Sequence, residues 1–460
     1  MSRWYTPLFL GKTLKSYLCN LDRLQRFSEE QLQKYQDKSL QKITRFAFTV
    51  PLYHDLYHHA GVKLQDIRGV DDLSKLPFIG KEEIRQYYPN GIIPTTKNIR
   101  DLIQISTSGT TGKSLALFVD YFDIIQGLFG YLRVLREHDI HWPTDKITII
   151  GDFAAHTAET GYVQRGLQTK IIPRFLMKNI QWLNTNDPPK KLITEIDRFD
   201  PDFIGGYVGM LGHLALLKEE GYGKQIQPRC IISTGAVLDE TLKKFISTTF
   251  NSPVFEAYGA TESGPIAYQC RHGTYHVMSD LVYLEVLKNN TQAVPNTPGQ
   301  VVITKLYGSG TPFIRYTSIN DIVSLRLQPC SCGLPGPMLE RIYGRDDLSL
   351  VTPDNKLMLP ASISEIFSKI LYGLKTRIIK DVQIIQHTLT SLEINVVLDP
   401  SIPLEHLSIK DITSSIQQGF REKLGVTVDI QINIVAELEH AGPRIISKVD
   451  RKKREIQGYV

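Results

Sequence analysis

The stretch Ser106-Thr107-Ser108-Gly109-Thr110-Thr111-Gly112-Lys113-Ser114 concentrates hydroxyls, two glycines and a lysine. Glycine reaches backbone conformations closed to other residues, so such a loop can aim N–H and O–H donors at phosphate oxygens, with Lys113 adding charge. Gly112-Lys113-Ser114 mimics the end of a Walker A loop, but that motif needs a glycine where this chain has Thr107. It also needs a helix to follow, and Leu115-Ala116-Leu117-Phe118-Val119 reads as a strand. The expectation is a phosphate-binding hairpin outside the P-loop class, with an ordinary Ser/Thr-rich turn as the competing reading. A second segment, Glu256-Ala257-Tyr258-Gly259-Ala260-Thr261-Glu262, follows an apolar run. A glutamate at the carboxyl edge of a strand is well placed to hold Mg²⁺ beside phosphates. Taken alone, it reads rather as a surface-loop carboxylate.

A third constellation combines Cys270, His276, Cys330 and Cys332. Three thiols and one imidazole form a zinc-ligating set, and a Cys-x-Cys pair beside Gly333 suits a ligating turn. The two segments lie about sixty residues apart and must meet in the fold. His272 is the alternative histidine. The competing reading is free thiols, with Cys270 as a small buried hydrophobe. Cys19 and Cys230 complete an odd set of 5, which is no disulfide framework and points to a reducing compartment.

These groups need a scaffold. The chain has 460 residues, about three domain-sized units. Lys and Arg number 53 against 48 Asp and Glu, a net charge of +5. That excess argues for neither nucleic acid nor an anionic membrane. The N-terminal hundred residues read as helices, with Ser28 and Gln31 forming a capping box and Pro51 ending the helix through Leu32, Leu40 and Phe46. Ile147–Asp152, Phe203–Tyr207, Cys230–Ala236 and Val254–Gly259 read as buried strands, with helices between them at about 209–220 and 238–250. Strands alternating with helices predict a parallel sheet with helices on its faces. From Val282 the texture becomes antiparallel, with a turn at Asn289-Asn290. Beyond a polar break at Gly344-Arg345-Asp346-Asp347, strand and helix alternate again. The fold class is thus α/β: a large N-terminal domain of parallel and mixed sheets with a β-rich subdomain, then a small mobile α+β C-terminal domain. The most apolar long stretch, Leu115–Leu135, is interrupted by Asp120, Asp123, Gln126 and Arg133 and is too polar to span a membrane. The basic run Arg451-Lys452-Lys453-Arg454 reads as a solvated tail. The start of the chain lacks a secretory pattern, so a cytoplasmic protein is expected.

The ordered set of Thr107–Lys113, Tyr258–Glu262, Arg315-Tyr316 with Asp321, and Gly344–Asp347 resembles the adenylate-forming superfamily of acyl-CoA synthetases. More narrowly it is similar to phenylacetate–CoA ligase and its relatives, including coenzyme F390 synthetase and capsule-biosynthesis proteins. The runs Phe46–Tyr57 and Leu76-Pro77-Phe78-Ile79-Gly80-Lys81 carry the same likeness. The resemblance covers nearly the whole chain and implies an AMP-binding domain over 1–345 and a mobile lid over 346–460.

The resemblance also implies roles. Ser108, Gly109, Thr110, Thr111, Gly112 and Lys113 would hold the β- and γ-phosphates of ATP. Ser233, Gly235 and Ala236 would border the adenine, with Glu256, Ala257, Tyr258 and Gly259 opposite. Thr261 would touch the α-phosphate, and Glu262 would ligate Mg²⁺. Asp321 would accept from the ribose hydroxyls, and Arg345 would reach ribose or phosphate. Lys448, in Ser447-Lys448 where the family has Gly-Lys, would swing in to stabilise the adenylation transition state. Asp346 and Asp347 are both candidates for the hinge. The implied activity is ATP-dependent formation of an acyl-adenylate, then transfer to a thiol, with CoA as the favoured acceptor. Adenylyl transfer, amide formation and a non-catalytic capsule scaffold are the alternatives. Cofactors are ATP and AMP, Mg²⁺, CoA and a structural Zn²⁺. A homodimer is an open alternative to a monomer. The acid pocket is expected around Phe153–Thr157, Tyr207 and Ala236.

Overall fold

A computed structural model describes residues 11, 17, 19–107, 114–154, 157–160, 177–402, 408–425, 427–438, 444–451, 454 and 456–460. The helix Glu29–Ala47 opens on the expected capping box: Gln31 N donates to Ser28 Oγ at 3.2 Å and Ser28 N to Gln31 Oε1 at 3.0 Å. It stops at Ala47, and Pro51 starts the next helix, Pro51–His59, at the position where its missing N–H costs nothing.

Strands β1 (Ile103–Ser106) and β2 (Ala116–Val119) form an antiparallel hairpin. Next come β3 (Ile147–Gly151), β4 (Ile180–Asn184), β5 (Phe203–Tyr207), β6 (Cys230–Thr234) and β7 (Val254–Ala260). All pairings among these five strands are parallel. The edge strand β4 escapes a sequence reading because only Leu183 in it is buried. The helices Pro189–Phe199, Val208–Glu219 and Glu240–Phe250 connect these strands and build an apolar cluster with Leu192, Ile204, Leu214, Ile231 and Ile246.

The chain then continues through β8 (Gly264–Gln269), β9 (Tyr275–Val277), β10 (Val282–Lys288), β11 (Thr291–Gln292), β12 (Pro298–Lys305), β13 (Asp321–Leu325) and β14 (Met338–Arg345). Parallel and antiparallel halves join in one 12-stranded sheet, ordered β11-β10-β12-β13-β14-β9-β8-β7-β6-β5-β3-β4. Strand β7 is the seam, parallel to β6 and antiparallel to β8. The turn at Asn289-Asn290 leads first into the two-residue β11, and β12 then completes the pairing with β10. The helix Tyr121–Glu137 lies so close to β8 that a Cβ on Gly130 would fall 2.5 Å from Pro265 Cγ. Arg133 on this helix makes a buried two-pronged pair with Asp280, both bonds at 2.9 Å.

The last third holds β15 (Leu350–Val351), β16 (Lys356–Met358), β17 (Ile379–Thr388), β18 (Ser391–Leu398), β19 (Asp429–Val435), β20 (Ile445–Ser447) and β21 (Gly458–Tyr459). A four-stranded sheet runs β19-β18-β17-β20, and β15-β16-β21 form a small separate one. The helices Pro360–Leu371 and Ile409–Leu424 share one apolar core with the four-stranded sheet, through Ile366, Phe420, Ile394 and Ile430. The helix Pro360–Leu371 also binds the N-terminal body. Ser364 and Ser368 donate to Asp239 Oδ2 at 3.0 and 2.5 Å, and Tyr372 stacks on Phe245. One expectation is corrected. Arg451 is no solvated tail residue: it is partly buried and donates to the Asp346 carbonyl at 2.7 Å and to the Ser349 carbonyl. The chain folds back on the segment Asp346–Ser349, whose carbonyls need donors. No helix among the described residues is long and apolar enough to cross a membrane.

Candidate functional site

The phosphate-loop residues Ser108, Gly109, Thr110, Thr111, Gly112 and Lys113 lie outside the described residues. Their anchors are described. Ser106 pairs with Ala116, Thr107 N donates to the Leu115 carbonyl at 2.9 Å, and Leu115 N donates back to Thr107 Oγ1 at 3.0 Å. A strand follows the loop, as the argument against a P-loop requires. The hairpin is pinned by Thr311, which exchanges two bonds with Phe118: Thr311 N to its carbonyl at 2.7 Å, and Phe118 N to Thr311 Oγ1 at 3.1 Å.

Ligands of open α/β sheets gather beyond the carboxyl ends of parallel strands. Here those ends carry the expected residues. Parallel pairing sets Ser233 against Glu256, and the buried Ser233 hydroxyl donates to the Phe255 carbonyl at 3.3 Å. Gly235 and Ala236 follow, open to solvent. Gly235 has φ +82, and a Cβ there would fall 2.2 Å from Tyr207 Cδ1, so the tyrosine ring lies directly on this turn. The Glu256 carboxyl bonds Tyr275, and burial raises its pKa. Ala257 is buried, whereas Gly259 is exposed.

Tyr258 Oη donates to Asp321 Oδ2 at 2.7 Å. The Asp321 carboxyl is pushed up to about 6, chiefly by burial, against the lowering by Tyr258 and Arg345. Arg345 pairs with Asp321 in the β13–β14 register, and its guanidinium forks onto Asp347 at 2.9 and 2.7 Å. Glu262 is buried in the turn after β7 and accepts from Tyr316 Oη at 3.1 Å. Burial raises its pKa, while Lys81, Tyr316 and Arg345 counter the rise. A buried carboxyl drawn toward cations suits a divalent-metal ligand. Thr261 sits beside it, partly exposed. The Arg315 guanidinium turns away and pairs with Glu285 at 2.9 Å.

Lys448 stands apart from this group. It is exposed, just past β20, with Nζ 3.2 Å from His387 Nδ1. His387 Nε2 is 2.8 Å from Glu393. The Lys448 backbone is fixed by Gln386, whose carbonyl accepts from Lys448 N at 2.9 Å. The buried Gln386 side chain also exchanges bonds with the Val351 backbone and accepts from Ser447 Oγ. Asp346 faces Arg451 and Asp347 faces Arg345, so the two hinge candidates bond in opposite directions.

Cys270, His276, Cys330 and Cys332 converge, with one ligand atom from each within 4.8 Å of all the others. The Cys270–Cys330 sulfur separation is 3.7 Å, and Cys332 Sγ lies 3.1 Å from His276 Nε2. A zinc tetrahedron with bonds of about 2.3 Å has sulfur–sulfur edges of about 3.8 Å, so the donor set fits. His276 Nδ1 is buried and has no hydrogen-bond partner.

No family model matches the chain. Among curated proteins it is 25% identical over 433 residues to phenylacetate–coenzyme A ligase of Escherichia coli, covering 90% of this chain and 93% of that one. It is 25% identical to the Thermus thermophilus enzyme of the same name over 71% of this chain and 73% of that one. Protein CapK of Staphylococcus aureus matches at 22% over 64% of each chain. A crystal structure of 2-hydroxyisobutyryl-CoA ligase in complex with 2-HIB-AMP superposes with TM-score 0.72 at 17% identity, covering 91% of this chain and 90% of that one. In sequence the chain is similar to phenylacetate–coenzyme A ligases over most of its length, and its fold is that of 2-hydroxyisobutyryl-CoA ligase.

Two further parts of the candidate site were not read from the sequence. Gln386 carries a weak signal, a polar residue on the same strand face as Ile384. Glu159 gives none. It lies in the short turn Ala158–Thr160 after β3, where its carboxylate accepts from Tyr207 Oη.

Proposed function

We propose that the protein is an AMP-forming acid–thiol ligase: it activates a carboxylic acid with ATP, releases pyrophosphate, and passes the acyl group to a thiol, most simply CoA. The observation that carries this reading is the convergence of Asp321, Tyr258, Glu262 and Arg345 at the β7 seam. A carboxylate facing a ribose accepts from both hydroxyls, and Asp321 is held for that by Tyr258. Two anions must meet when a carboxylate attacks the α-phosphate, so the chain's task is charge neutralisation and alignment. Lys113 and Arg345 would supply cations to the phosphates, and Lys448 would supply one that arrives. Thr261 orients the α-phosphate. Glu262 would hold Mg²⁺, which neutralises phosphate charge when bound.

Residues 346–460 act as the lid that carries Lys448, turning about Asp346-Asp347 between half-reactions. The Arg451–Asp346 contact ties the far end of that lid to its hinge. Cys270, His276, Cys330 and Cys332 would hold a structural Zn²⁺ that joins the turn after β8 to the loop before β14. The test of the ligase reading is AMP release. With a cognate acid, ATP turnover should give free AMP and pyrophosphate, and adding CoA should raise AMP release at least tenfold.

A further inference from the structure

Three adjacent parallel strands end side by side where the ligase reading puts the acid: β3 at Gly151, β5 at Tyr207, and β6 just before Gly235. The Tyr207 ring rests on Gly235, and its hydroxyl reaches across to the Glu159 carboxylate. A Cβ on Gly151 would lie 3.3 Å from Glu159 Cγ, so the glutamate side chain packs against the end of β3. Tyr131, 40% exposed, lies near enough for the Glu159 charge to raise its phenol pKa. Burial also raises the Glu159 pKa, and nearby Asp152 adds to the rise.

This is an unusual wall for a pocket meant to take a carboxylic acid. In its bond with Tyr207 the Glu159 carboxyl acts as acceptor, and a tyrosine whose proton is committed to it presents only oxygen lone pairs. Both groups therefore ask for a donor. A purely apolar acid would leave them desolvated, which is costly, and a second carboxylate would add like-charge repulsion. The reacting carboxylate must then point away from Glu159, toward Thr261.

We infer that Glu159 and Tyr207 set specificity for an acid carrying a hydrogen-bond donor, an amine or hydroxyl, at the end remote from its carboxylate. The inference rests on the ligase reading above. A site built to bond such a donor rejects analogues that lack it far more strongly than an apolar pocket rejects a size change.

The experiment is acid-dependent pyrophosphate exchange with matched pairs of acids. 4-(Aminomethyl)phenylacetate is compared with 4-ethylphenylacetate, and 3- and 4-hydroxyphenylacetate with their methyl counterparts. The wild-type protein should favour a donor-bearing member by about 10²-fold or more in kcat/KM. In Glu159→Gln that ratio should fall at least tenfold. Equal exchange with both members of every pair, or a ratio unmoved by Glu159→Gln, overturns the inference and leaves the ligase reading standing. Should Glu159→Gln not fold, the wild-type ratios decide alone. Exchange with no acid at all overturns the ligase reading and this inference with it.

Discussion

Tyr258 Oη donates to Asp321 Oδ2 at 2.7 Å although three strands, β14, β9 and β8, stand between their own strands in the sheet. The bond closes the seam end of the sheet on itself, and β9, with only three residues, makes that curl easy. It also fixes the carboxylate that would receive the ribose.

Nucleotide affinity should depend on that carboxylate's charge. Burial pushes the Asp321 carboxyl up to about 6, and Glu262 and Asp347 add in the same direction. Above this value it is ionised and accepts two hydroxyls. Binding of a fluorescent ATP analogue should therefore weaken as pH falls from 7 to 5, and Asp321→Asn should be weak and flat across the range. Stability carries the opposite sign. The native state holds this proton more tightly than the unfolded chain, so the contribution is present below pH 4 and lost as pH rises through about 6. A pH-independent affinity in the wild type would contradict the assignment.

Lys448 should matter to one half-reaction. Lys448→Ala should slow adenylation by about 10²–10³-fold, the loss seen on removing one preorganised donor. Thioester formation from a supplied acyl-adenylate should change little. His387 accepts from Lys448 through Nδ1 and faces Glu393 through Nε2. His387→Ala should cost adenylation less than tenfold, since it touches the lysine and not the nucleotide. Single-turnover rates for each step separate these outcomes, and equal losses in both steps for Lys448→Ala would remove it from the mechanism.

The cysteine–histidine cluster should hold metal. Protein purified without chelator should contain about one equivalent of zinc, and Cys330→Ser with Cys332→Ser should lose it. Chelation should lower the melting temperature, because site binding energy is folding energy. Less than half an equivalent by elemental analysis counts against the site.

Gly235 should not accept a side chain. A Cβ overlaps the Tyr207 ring at 2.2 Å, and φ +82 strains any other residue. Gly235→Ala should cost about 1–3 kcal/mol of stability in thermal unfolding. It should cut acid-dependent activity by at least about tenfold through displacement of the ring. Wild-type activity in this variant would show that Tyr207 lies off the acid's path.

Much of this was legible in the chain and some was not, for identifiable reasons. Phe203–Tyr207 is apolar, glycine-punctuated and fully bounded, and it folds as read. The Cys270, His276 and Cys330-Ser331-Cys332 set needed only that two segments meet, and the pairing of β14 with β9 brings them together. β4 hid because an edge strand buries little and need not alternate. The Tyr258–Asp321 bond joins positions 63 residues apart, and no local pattern encodes it. Glu159 and Tyr207 became partners only when adjacent parallel strands ended side by side. Arg451 read as tail because charge runs are usually solvated, yet the open carbonyls of Asp346 and Ser349 give it a place to dock.

Acid activation at the β7 seam is the central step, and pyrophosphate exchange into ATP reads that step alone, without a thiol acceptor. Across a broad panel of carboxylic acids, the wild-type protein should incorporate labelled pyrophosphate with at least one of them, and Lys448→Ala should reduce that exchange by about 10²-fold or more. Exchange with none of the acids, or exchange that survives Lys448→Ala undiminished, would contradict it.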